Sequence, residues 1–306
     1  MTSRTPFLTP VLAAFAAVLP LAGAEAESVD LSRLVVVGDS LSAGHQNSCL
    51  LATQQVNGFA NLVAEKARAD LRLPLIGAPG APPCLTLLDP GPPPVVGRIS
   101  DGFGVRLDPT VRTFNLSVPG ARVGDALNPV PDNAFHGFFD FPFAELHGLV
   151  LQGHEGLPKS QVDLAVDLEP TALIVWLGSN DMLWSVIGGD PIFVTPEDIF
   201  RAGYEDMMNW LAATGAALVV ANIPDATSTP FLTPAETVEE ITGVPMAFFG
   251  LAPGDYVTPF AWEFIAAGLP LVDGVVLDAA EIAEIQAAVA VFNAIIAEQA
   301  ALHGAA

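Results

Sequence analysis

The chain has 306 residues, 51% of them apolar and 15% charged, which excludes a disordered chain and provides for one large α/β domain or two small ones. Its 34 acidic and 11 basic residues give a formal charge of -23, a balance that repels phosphate backbones and argues against nucleic acid as a partner. The charge itself says little about fold.

The N-terminus combines Arg4, an apolar run from Phe7 to Ala24 and small residues up to Ala26. That order describes a secretory signal peptide over residues 1–26, followed by one domain over 27–306. The competing reading is an uncleaved anchor, disfavoured by Pro10 and Pro20 within the run. The expected location is secreted or periplasmic. No later segment reads as a stable membrane span, because Gln286, Asn293 and Glu298 interrupt the Ala-rich stretch 285–301. Export would allow Cys49 and Cys84 to pair across a loop of about 36 residues, worth about 3–4 kcal/mol in the chain-entropy model. Two buried free thiols is the other reading, and both stand open here.

Four short apolar runs predict strands: Leu34–Val37, Val111–Leu116, Ala172–Leu177 and Ala217–Ile223. Unbroken apolar runs predict strands covered on both faces, as in a parallel sheet. Helical periodicity lies between them. Phe59, Leu62, Val63 and Ala67 share one face of a helix within 58–71. Thr195-Pro196-Glu197-Asp198 reads as a capping box with Pro at the first helical position, opening a helix to about Ala213. Asp278-Ala-Ala-Glu281 opens another, which runs to about His303 and stops at Gly304. The expected fold is a single α/β domain, a doubly wound, mostly parallel sheet covered by helices in a three-layer sandwich. Two connections, about 74–110 and 224–275, are long enough to carry function or short elements of their own. A third segment holds Phe135, Phe138, Phe139, Phe141 and Phe143. Core packing is the preferred reading of those rings, and the rim of an acyl cleft the alternative.

The first strand ends in Gly38-Asp39-Ser40-Leu41, which places a hydroxyl at the carboxyl end of a parallel strand, where ligands bind in such sheets. It is not the G-x-S-x-G elbow, because Ser42 occupies the second Gly position. Alone it reads as a helix cap. The second strand, however, leads to Asn115-Leu-Ser-Val-Pro-Gly120, and the third to Gly178-Ser179-Asn180-Asp181. With these three blocks in order, each after an expected strand, residues 33–225 resemble the SGNH/GDSL hydrolases, a family of serine esterases and lipases. The resemblance implies a flavodoxin-like sandwich with Ser40 as nucleophile. It also implies an oxyanion hole of the Ser40 N–H, the Gly120 N–H and the Asn180 side-chain amide. Asp39 and Asp181 are read as organising their turns, and His45 as lining the cleft.

The family also implies an Asp-x-x-His block near the C-terminus, whose His would deprotonate Ser40. Three positions before His45, His136, His147, His154 and His303 stand Ser42, Asn133, Ala144, Leu151 and Ala300, so that block is missing. Because the chain stops where a fifth strand should begin, an incomplete sequence lacking the last strand and helix is the favoured expectation. Three functional readings follow. One is a secreted ester hydrolase with an incomplete record; another is a weak or inactive protein that binds acyl or glycan ligands. In the last, His136, His147 or His154 acts as base. No cofactor or metal is expected, since HExxH, EF-hand and phosphate-cradling patterns are missing. The expected partner is a small-molecule or lipid ester. Late aromatics (Phe248, Phe249, Phe260, Trp262) lean toward short or medium acyl chains, with core packing an equal account. The oligomeric state is not specified by the sequence.

Overall fold

The computed structural model describes residues 29–91, 95–98, 100–129, 142–154 and 159–306. The signal-peptide reading of 1–26 lies outside them, as do His136 and four of the five clustered phenylalanines; the fifth, Phe143, is fully buried.

The first strand, β1 (Leu34–Gly38), is buried along its whole length and passes directly into the single helical turn α1 (Ser40–Ala43). Short α2 (Ala52–Gln55) and α3 (Phe59–Ala67) follow, then the antiparallel hairpin of β2 (Leu85–Asp89) and β3 (Val95–Arg98). Next come α4 (Val123–Leu127), α5 (Phe143–Leu151) and α6 (Gln161–Asp167), leading into β4 (Ala172–Trp176). After β4 the chain forms α7 (Asn180–Gly188), α8 (Glu197–Ala212) and β5 (Ala217–Val220). The late connection holds β6 (Thr233–Pro234), α9 (Ala235–Thr242), β7 (Tyr256–Val257), α10 (Ala261–Ala266) and β8 (Val276–Leu277), before α11 (Ala279–Leu302) closes the chain. Both long connections therefore contain short elements, as their length suggested.

The central sheet is parallel in the order β1-β4-β5, with Leu34 opposite Ala172 and Ala172 opposite Ala217. The expected strand at 111–116 is a correction. It forms a single parallel bridge, Asn115 to Val36, with Val36 N–H donating to Phe114 O and Leu116 N–H to Val36 O. Its ladder is cut short because the Phe114 and Asn115 N–H groups both turn to Arg72 O, and the Asn115 side chain accepts from Ser117 N–H. Cover on both faces holds for β1 alone. The helix α3 reaches as far as β4, where Phe59 meets Trp176 edge-on at 5.2 Å, and beyond it Val219 of β5 is 49% exposed. At the outer edge of β5, Val220 N–H donates to Ala306 O and Ala306 N–H to Leu218 O.

The main core joins the sheet to α4, α6, α8 and α11, and a smaller one around Val238, Phe249, Val257 and Ile265 holds the late insertion together. Asp278 caps α11 as the sequence predicts, accepting from Ala280 and Glu281 N–H. The capping box at 195–198 is a second correction. Pro196 is the N-cap and its ring carries no acceptor for a cap bond, while Thr195 lies one residue before the helix cap and its hydroxyl donates to Asp181 at 2.9 Å. By length and composition α11 is apolar enough to cross a membrane. Its polar residues nonetheless bond back into the domain: Gln286 to Thr227, Asn293 to Ile223 and Glu298 to Arg201.

Candidate active site

Three connections leave the sheet at one end, and each carries a residue singled out from the sequence. β1 delivers Asp39 and Ser40. The segment 114–118 runs beside β1, with Val118 N–H donating to Gly38 O at 3.0 Å, and delivers Gly120. Parallel pairing of β4 with β1 brings Gly178-Ser179-Asn180 to the same end.

Ser40 is the first residue of α1 and partly exposed, whereas Asp39 before it is fully buried. The Asp39 carboxylate accepts from Leu41 N–H at 2.9 Å, which fixes the turn that presents Ser40. Gly120 is buried with φ +87°, in the left-handed region that disfavours side chains. Asn180 is 2% exposed and donates one amide N–H to Ala121 O at 2.9 Å, so it lies one residue from Gly120. Among the described residues, the N–H groups of Ser40 and Gly120 meet no backbone acceptor. Two main-chain N–H groups without a backbone acceptor and an amide with a second N–H thus lie at the same end of the sheet as the Ser40 hydroxyl, and donors of this kind can bind a developing oxyanion.

Two buried carboxyls brace this arrangement. Burial pushes Asp39 up to about 7, against the opposing pull of Leu41 N–H and the neighbouring Ser179 hydroxyl, with Asp181 adding to the rise. Asp181 is raised to about 6, again by burial, with Val123 N–H, Thr195 and Arg122 acting against it. Asp181 accepts from Val123 N–H at 3.0 Å and so ties the third block to the helix that follows Gly120. Both aspartates therefore organise turns, and Asp181 also connects blocks distant in sequence.

Among the described residues, no histidine is seen paired with a carboxylate beside Ser40. Burial lowers His45, His147 and His154 to about 4 in each case, leaving them neutral at pH 7. His147 lies in α5 near Asp125, while His154 packs against Arg112. His45 is near Arg98, at the base of the β2–β3 hairpin. His303 ends α11. No group of His, Cys, Asp or Glu able to hold a metal occurs among the described residues.

Two positioning residues were missed in the sequence. Gln161 is 1% exposed and its amide donates to Gly38 O and Leu116 O, joining β1 to the segment that leads to Gly120. The Asn115 amide donates to Ser42 O at 2.9 Å, holding the turn that carries Ser40 against that same segment. Gln161 had a readable signal: it shares the apolar face of Leu164, Ala165 and Leu168, an odd place for an amide. Cys49 and Cys84 are disulfide-bonded, which settles their pairing.

A family model described as GDSL-like Lipase/Acylhydrolase matches residues 34–294. Among solved structures, the chain is similar to the psychrotrophic esterase EstA from Pseudoalteromonas sp., in a structure inhibited by monoethylphosphonate, with 16% identity and a TM-score of 0.30. That match covers 64% of this chain and 63% of the esterase, so it spans less than two thirds of the relative's length. No curated protein sequence matches.

Proposed function

The chain belongs to the GDSL-like lipase/acylhydrolase family, and from that membership we propose that it is a serine carboxylic ester hydrolase whose nucleophile is Ser40. The observation that carries the reading is the pair of N–H groups without a backbone acceptor, Ser40 and Gly120, at the same carboxyl end of the sheet as the Asn180 amide. In the proposed reaction Ser40 Oγ attacks the ester carbonyl carbon while its proton passes through water to the departing alcohol oxygen, and the carbonyl electron pair moves onto oxygen. The three donors hold that oxyanion. Collapse expels the alcohol and leaves an acyl-serine, which water then hydrolyses. The substrate is proposed to be a small-molecule or lipid acyl ester. A secreted or periplasmic location is supported by the N-terminal residues and by the Cys49–Cys84 bond, since disulfides persist in oxidising compartments.

No histidine among the described residues forms an ion pair with a carboxylate. That favours a second reading, a protein of this family that binds acyl or glycan ligands and turns them over weakly. A fluorophosphonate probe combined with p-nitrophenyl acetate hydrolysis separates the two. The hydrolase reading expects labelling of Ser40 and turnover, both lost in Ser40→Ala. Oxyanion binding alone sustains about 10³–10⁴-fold acceleration over water, so weak turnover that depends on Ser40 still counts as serine chemistry. Turnover unchanged in Ser40→Ala, or labelling elsewhere, would overturn the assignment.

A further inference from the structure

At the amino ends of the parallel strands, opposite the end that carries Ser40, lies a surface cavity of about 400 Å³ lined by Arg112, Gly153, His154, Leu164 and Asp167. It is built from the stretch that precedes the Asn115 bridge to β1, the turn after α5 and the end of α6. Arg106, only 4% exposed, fastens the first two together by donating to Val111 O at 2.6 Å and to Gln152 O. Gly153 has φ +91°, and a Cβ there would lie 2.5 Å from Val111 O, so the turn can come this close only as glycine.

The polar groups in this wall are donors. Arg112 Nε donates to His154 Nδ1 at 3.4 Å and its Nη2 to Asp167 O at 3.2 Å. A guanidinium cannot accept, so Nδ1 is the bare nitrogen of the ring and Nε2 carries the proton. That Nε2–H is shielded from water and has no partner. Burial lowers His154 to about 4, with Arg112 and Arg106 adding to the fall, so the ring stays neutral at pH 7 and Nε2 remains a donor.

The charges here run against those of the rest of the chain. Acidic residues outnumber basic ones 34 to 11, and Arg33, Arg72, Lys159 and Arg201 each reach a carboxylate. Among the described residues Arg106 and Arg112 do not: both donate to neutral acceptors alone. The carboxylates nearby are engaged elsewhere. Asp167 pairs with Lys159, and Asp108, which lies near Arg106, accepts from the Thr110 N–H and hydroxyl. Two neighbouring guanidiniums without a counter-ion, beside an unpaired N–H, are the groups that recognise an oxyanion. The acidic remainder does not forbid this, because salt screens charges farther away than about 8–10 Å.

We propose that this cavity is a binding site for a phosphate-type oxyanion, held by the Arg112 guanidinium with the buried charge of Arg106 adding to the attraction. The site is distinct from that of Ser40 and does not depend on the ester-hydrolase reading.

Thermal unfolding of the full chain in increasing inorganic phosphate, with chloride adjusted to keep ionic strength constant, tests the site. Phosphate is expected to raise Tm by a few degrees along a saturating curve, the signature of a ligand that binds only the folded state. Arg112→Gln should weaken the apparent affinity about tenfold or more. Asp167→Asn removes the carboxylate from the wall and frees Lys159, so it should tighten binding several-fold; this opposite sign keeps the test decisive if Arg112→Gln fails to fold. Arg201→Gln, a cation of α8 already surrounded by Glu197, Glu205 and Glu298, should leave the phosphate response unchanged. Glycerol 1-phosphate in place of phosphate separates two sources of the same chemistry: equal affinity indicates a free anion, and tighter binding the phosphate end of a larger molecule. A rise in Tm that does not saturate and is the same in every variant would be general salt stabilisation and would overturn the proposal. Affinity unchanged in Arg112→Gln, or not increased in Asp167→Asn, would overturn it as well.

Discussion

At the residue scale, the site depends on a few groups that have no room to change. Asn180 donates one amide N–H to Ala121 O, and in the proposed reaction its other N–H meets the oxyanion. Asn180→Ala should therefore lower kcat on p-nitrophenyl acetate by about 10²–10³-fold, near 2.7–4 kcal/mol, as removal of one such donor does elsewhere. Gly178, two residues earlier, has φ +116°, and a Cβ there would lie 2.7 Å from Ile223 Cδ1, so the turn that presents Asn180 requires glycine. Asp39 makes the site sensitive to pH. Its folded value of about 7 exceeds the ordinary 3.8, so the folded chain retains a proton that the unfolded chain has released. Stability from this group falls as pH rises between those values and is level above them. Asp181, raised to about 6, acts in the same direction. Asp39→Asn keeps an acceptor for Leu41 N–H and should flatten the fall in Tm between pH 4 and pH 7; an unchanged slope would show that Asp39 is ionised throughout.

At the element scale, helix ends and strand ends were the most legible features, because their signals are local. Gly38-Asp39-Ser40 and Asp278-Ala-Ala-Glu281 place their caps within three residues of what they cap. The 195–198 segment shows the limit of that reasoning. Its Thr195 has the right residue type and spacing, but Asp181, fourteen residues earlier in sequence, is a buried carboxylate and takes the hydroxyl. Packing between α8 and α11 depends on Phe200 and Phe292, stacked with centroids 3.9 Å apart and both 1% exposed. Phe292→Ala should cost about 3–5 kcal/mol in urea unfolding, since neither helix can close on the cavity without disturbing the other's contacts. A loss below 1 kcal/mol would mean that the two helices repack freely.

At the scale of the whole molecule, one covalent link joins the loop after Ser40 to the β2–β3 hairpin. The Cys49–Cys84 bond spans a sequence separation of 35, and its reduction should lower unfolding free energy by about 3–4 kcal/mol, read from urea curves with and without reductant. Composition and short motifs by themselves determined the α/β class, the parallel strands β1, β4 and β5, and the three blocks that contain Ser40, Gly120 and Asn180. Each of these is written in consecutive residues. Pairing of the cysteines, the loss of the expected strand at 111–116 and the struts from Gln161, Asn115 and Asp181 were decided only by tertiary structure. Gln161 meets Gly38 across 123 positions and Asn115 meets Ser42 across 73. The exposed Leu87, Leu88, Val95 and Val96 of the β2–β3 hairpin belong to the same class, because an apolar run reads alike whether it is buried or faces water. Which residues satisfy a buried polar group, and which apolar ones remain uncovered, depends on neighbours that local sequence does not specify.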